Sequence, residues 1–195
     1  MANVQHSELT GDQVHEPKGI ATAELGQVYI ANGSNSGVWK FPSGFAYGEL
    51  FITEGATPQT LLAASASDKL NPTGEWTRNG NSNITVTPAD GTLTILQGGE
   101  YSLTFYTTFT TAAIASGSEY RFYYAVNGVH STRNTFVRKT TNGVETLHCS
   151  ASGLATFATN DVVSMYVKGG TTSSGTAITI VEAGFNCILI QPDLL

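Results

Sequence analysis

A chain of 195 residues with nine lysines and arginines against 15 aspartates and glutamates has a net charge of −6 and no basic cluster. Nucleic acid is therefore not expected as a partner, because that affinity rests on cations that neutralise phosphates. Charged residues are only 12% of the chain, about half the ordinary share, while 27 threonines, 21 glycines, nine phenylalanines and eight tyrosines describe a β-protein with neutral outer faces.

Taken in chain order, residues 1–44 hold glycine breaks at Gly26, Gly33, Gly37 and Gly44 and one strand-like run, "QVYIA". So little apolar area suits an extended arm laid on a partner surface. Nothing after Met1 reads as a basic segment followed by a long apolar run, and no stretch of about 18 apolar residues could span a membrane. The expectation is a product without membrane association, made in a cytosol. From residue 45 to 195 the pattern changes to about ten short runs divided by turn residues, from "GELFITEG" through "EYSLTFYTTFTT" and "EYRFYYAVNG" to "FNCILIQ". That is the signature of an all-β sandwich. In "TPQTLLAASASDKL" a strand plus turn is favoured over a helix, since the neighbourhood is β.

Asn127-Gly128, Asp90-Gly91 and Asn142-Gly143 predict two-residue hairpins, because these pairs tolerate positive φ at both centres of a type I′ turn. Within the strands, Tyr101, Leu103, Phe105 and Phe109 share one face while Tyr106 points the other way. Tyr120, Phe122, Tyr124 and Val126 likewise oppose Tyr123, and Val163, Met165 and Val167 oppose Val162 and Tyr166. One outward tyrosine is ordinary. Recurrence over three strands predicts a second buried surface, with Tyr106, Tyr123 and Tyr166 at a subunit interface.

Reactive chemistry finds little support. His6, Glu8, Asp12, His15 and Glu16 have no HExxH spacing, and a polar arm collects such residues without binding metal. Asp161 has no second acid near it for calcium, so its carboxylate is expected to accept backbone N–H bonds in a turn. Ser150 and Ser152 follow His148 and Cys149 in "LHCSAS", but adjacent residues on a strand point to opposite faces and triads are assembled across the fold; neither a GxSxG elbow nor a phosphate-binding loop occurs. Neither catalysis nor a cofactor is expected. Cys149 and Cys187 fit no zinc spacing and are expected as plain thiols. Trp39 and Trp76 suit either a sugar site or ordinary packing.

The set "YRFYYAVNGVHSTRNTFVRK", "LATFATNDVVSMYV" and "AITIVEAGFNCILI", with Gly99-Glu100-Tyr101 opening a strand and Asn160-Asp161-Val162 turning into a late one, resembles bacteriophage virion proteins with a C1q/TNF-like jelly roll. The likeness spans residues 48–190, and the arm resembles leader segments of phage structural proteins. It implies a homotrimer around an aromatic-lined axis. It further implies a capsid decoration protein, of the cement or head-fibre type, on the virion surface. There the arm 1–44 would fasten to the major capsid protein, with Leu9, Val14, Pro17, Ile20, Val28, Tyr29, Ile30 and Trp39 as its anchoring residues. The alternative is a tail-fibre or receptor-binding protein that recognises host-cell glycans; a third is a host-encoded C1q-like lectin.

Overall fold

The computed structural model describes residues 28–31, 37–40, 45–60, 68–70, 74–111, 118–132, 136–139, 144–169 and 177–192. The chain divides into two units, 1–44 and 45–195. In the first, β1 (Val28–Ala31) pairs antiparallel with β2 (Gly37–Lys40), and Tyr29 stands opposite Trp39 with ring centroids 5.3 Å apart. The sequence pattern marks only one strand here. Its partner, "GVWK", is too short to display a period, and the cross-strand aromatic pair helps to hold the two together.

The second unit runs β3 (Tyr47–Ile52), β4 (Pro58–Thr60), β5 (Asp68–Lys69), β6 (Thr77–Ser82), β7 (Ile84–Thr87), β8 (Thr92–Ile95) and β9 (Gly99–Thr111). It continues through β10 (Glu119–Val126), β11 (Val129–His130), β12 (Phe136–Lys139), β13 (Thr146–Phe157), β14 (Val162–Gly169) and β15 (Ala177–Pro192). The first sheet has the order β13-β9-β15-β3-β6, with β4 also on β15; the second has β11-β10-β14-β8-β7, with β12 also on β10 and β5 on β14. Every pairing is antiparallel. Between β4 and β5, residues 61–67 lie outside the described residues.

The inward faces meet in one core, where Phe109 packs on Tyr120 and Phe122 with centroids 5.4 and 5.0 Å apart, and Phe105 reaches Phe122 at 6.1 Å. Each such ring contributes roughly 1.5–3 kcal/mol by burial. In the middle of β13 three inward residues are small and sit beside large ones: Ala151 is opposite Phe105, Gly153 opposite Leu103 and Ala155 opposite Tyr101. Trp76 belongs to this core, 5% exposed, and donates from Nε1 to the Leu70 carbonyl at 2.9 Å. Packing, not sugar contact, accounts for it.

The turns show two outcomes. Asn127 and Gly128 adopt φ of 52° and 78°, the left-handed pair that a two-residue hairpin requires. Around Asp90-Gly91 the chain instead makes a 3-10 turn over Pro88–Asp90 that closes on left-handed Gly91, whose N–H donates to the Pro88 carbonyl. Pro88 at the first position presets that turn. Asn142-Gly143 lies outside the described residues.

Candidate interaction surfaces

With one face of each sheet committed to the core, the outer faces are what the domain offers to a partner. On the first sheet, Tyr106 of β9 lies between Ser150 of β13 and Gly184 of β15, which is followed by Phe51 of β3. A Cβ at Gly184 would fall inside the Tyr106 ring, so the ring covers the neighbouring strand at its one position without a side chain. Even so, Tyr106 remains 43% exposed. Four residues up β9, Ser102 sits between exposed Leu154 and Ile188, and Ile188 faces exposed Tyr47. Beside Ile188 and Tyr47 an open groove of about 610 Å³ is lined by Phe45, Gly80 and Asn186 among others, with the Asn79 amide donating to Glu49 at 3.1 Å on its wall. On the other side of Tyr106, Thr108 Oγ1 and His148 Nδ1 share a hydrogen bond of 2.8 Å, and Glu182 is the next residue across.

The outer face of the second sheet differs in kind. Tyr123 of β10 and Tyr166 of β14 are cross-strand partners with rings 6.2 Å apart and only 7° from parallel. His130 of β11 touches both, with centroids 4.6 Å from Tyr123 and 4.9 Å from Tyr166. Tyr123 is 5% exposed, and its enclosed hydroxyl has no hydrogen-bond partner among the described residues. Burial, joined by the nearby Asp68 carboxylate, pushes its phenol up to about 12. Two residues away Arg121 stands directly opposite Lys168, and Lys69 faces Tyr166 from β5.

The structure therefore separates the three tyrosines that the alternation grouped. Tyr106 is on the outer face of one sheet and Tyr123 and Tyr166 are on the outer face of the other, so no single flat interface contains all three. Alternation tells inward from outward but not which sheet a strand joins. Leu154, Ile188 and Tyr47, which the sequence reading passed over, complete the Tyr106 face. A signal for two of them exists: "FNCILI" is apolar at nearly every position, as a strand with two covered faces would be, and Leu154 stands out among alanines and glycine.

Of the residues expected to anchor the arm, Val28, Tyr29 and Ile30 lie on β1 and Trp39 on β2, whereas Leu9, Val14, Pro17 and Ile20 lie outside the described residues, as do His6, Glu8, Asp12, His15 and Glu16. Asp161 accepts from Ala158 N–H through Oδ2 at 2.8 Å and from the Asn127 amide through Oδ1 at 2.8 Å, and Asn127 Oδ1 in turn accepts from Val162 N–H. The carboxylate ties two turns together. Cys149 and Cys187 are buried thiols not joined by a disulfide, and burial pushes the Cys187 thiol well above its usual value.

The chain matches no protein-family model and no curated protein. Solved structures do resemble it. The Eiger TNF of S. frugiperda superposes with a TM-score of 0.51 at 10% identity over 75% of this chain and 92% of that one. The globular domain of zebrafish complement 1qA protein gives a TM-score of 0.47 at 15% identity, covering 76% and 99%. At such identities the likeness speaks for the fold alone: the second unit is an all-β jelly roll of the TNF-like kind, the fold that the resemblance implied.

Proposed function

We propose that this chain is a non-catalytic structural protein that assembles as a homotrimer through the outer face of its first sheet. In a virion it would decorate the capsid surface, fastened to the major capsid protein through residues 1–44. The observation that carries the trimer is the row of exposed large side chains on that face, Tyr47, Tyr106, Leu154 and Ile188, each at least 42% exposed in the single chain. Contiguous apolar surface of this kind marks a site of association, and a rotation that brings one face of each copy to a common axis closes without leaving an open edge. The decoration role is supported by the resemblance of "YRFYYAVNG" and its companion motifs to phage virion proteins. Three arms about one axis would bind a threefold site with combined strength, so each contact can be modest.

Sedimentation velocity tests the assembly: the expected particle has three times the 20.6 kDa chain mass. Leu154→Asp with Ile188→Asp should reduce it to the single chain with its circular dichroism retained. Unchanged sedimentation of that variant would overturn the interface. Deleting residues 2–44 should leave a folded trimer that no longer co-sediments with virions, and continued binding by the deletion variant would refute the attachment role.

A further inference from the structure

The outer face of the second sheet combines three features that the trimer reading leaves unused. First, it gathers cations in an acidic chain: Arg121 and Lys168 are direct cross-strand partners, and Lys69 lies beside Tyr166. Like charges placed opposite one another destabilise a sheet. Arg121 is partly offset by Glu119 at 3.1 Å, and the Asp68 carboxylate lies near Tyr123, but Lys168 has no ion pair among the described residues, so three cations stand against two carboxylates. The opposite outer face instead carries Glu49, Glu100 and Glu182 on β3, β9 and β15, so an approaching polyanion is steered to the second sheet. Second, exposed His130 and half-buried Tyr166 present rings beside those cations. Third, the Tyr123 hydroxyl is enclosed next to these rings without a partner, although buried hydroxyls are normally satisfied.

We propose that the Tyr123, His130 and Tyr166 cluster with Arg121 and Lys168 is a binding site for an anionic polysaccharide, carboxylated or sulfated. The rings take the apolar C–H face of a sugar, the guanidinium and ammonium take its acid group, and the Tyr123 hydroxyl, uncovered when an adjoining ring gives way, hydrogen-bonds a sugar oxygen. A site made of a few convergent polar groups on aromatic walls is what small-ligand recognition uses. The site faces away from the sheet surface assigned to trimer contact and does not depend on that assignment.

Titration calorimetry of the full chain with polygalacturonate, dextran sulfate, neutral dextran and oligo(dT), at about 50 mM salt so that screening stays weak, is the test. Binding of polygalacturonate or dextran sulfate but not of neutral dextran is expected, and which polymer binds identifies the acid group. Lys168→Ala and Tyr166→Ala should each weaken that binding about tenfold, the second because ring contact is lost with charge unchanged. The proposal is overturned if neither charged polymer binds, if neutral dextran binds equally, or if either variant binds as the parent does. It is overturned as well if oligo(dT) binds as tightly with the same sensitivity to both variants, which would make this a phosphate surface.

Discussion

The Tyr106 ring lies over Gly184, its cross-strand partner on β15, closely enough that a side chain at residue 184 cannot coexist with the ring where it now sits. An aromatic ring that covers a glycine of the adjacent strand protects backbone hydrogen bonds there from water. Gly184→Ala should therefore destabilise the domain by about 1–2 kcal/mol, the lower part of the overpacking range, because a ring at a sheet surface can swing outward. In a Tyr106→Ala background the same change should cost almost nothing. A double-mutant cycle by urea denaturation measures this, and additive effects would mean that the ring contributes nothing at Gly184.

How far the sequence carried the fold is clearest at β9, β10 and β14, whose period-2 alternation separates Tyr101, Leu103 and Phe105 from Tyr106 without error. It did not show that the three tyrosines divide between two sheets, for a reason that is topological. Consecutive strands β9 and β10 belong to different sheets, and nothing local in "EYSLTFYTTFTT" or "EYRFYYAV" marks that crossing. Leu154 was obscured by the opposite effect. The largest residue of "SASGLATF" before Phe157 points outward because the alanines and glycine beside it are needed next to the Tyr101, Leu103 and Phe105 side chains. Steric complementarity between neighbours overrode the rule that large apolar residues face inward.

Asn127 does two separable things, and substitution can tell them apart. It adopts a φ of 52°, and its side chain joins Asp161 to Val162 N–H. Asn127→Gly keeps the backbone freedom and loses the two side-chain bonds, which should cost about 1–3 kcal/mol. Asn127→Ala loses both and should cost about 1 kcal/mol more, the penalty of a Cβ in the left-handed region. Chemical denaturation of the two variants gives the comparison; equal stability of Ala and Gly at this position would remove the strain argument.

Glu75 gives the domain an acid-sensitive point. Burial alone would raise its pKa, but the N–H groups of Thr57 and Ala56 donate to Oε1 at 2.6 and 2.8 Å and hold the net value below the ordinary carboxylate range. A depressed folded-state pKa adds stability at all pH above the unfolded value, and this is lost as pH falls through the folded value. Glu75→Gln should accordingly lower stability by about 1 kcal/mol at pH 7, where charge-assisted bonds are replaced by neutral ones. The gap between parent and variant should close under acid, as pH falls through the lowered folded-state value. Thermal melts of both proteins at neutral and acid pH decide it, and a gap that is independent of pH would show that the carboxylate charge is not what the loop uses.

Tyr123 sets stability against binding. Its hydroxyl is enclosed without a partner among the described residues, and an unsatisfied buried hydroxyl costs about 1–3 kcal/mol. Tyr123→Phe removes that cost while leaving the ring on Tyr166 and His130, so the variant should melt higher by a few degrees, at about 2–4 °C per kcal/mol for a chain of this length. If the hydroxyl serves a sugar oxygen, the same variant should bind an anionic polysaccharide several-fold more weakly than the parent. Higher stability with weakened binding is the outcome expected of a group kept for a ligand, measured by calorimetric melting and titration on one preparation. A variant that melts lower than the parent would show that the hydroxyl is satisfied within the fold, and the strongest single reason for placing a ligand there would be gone.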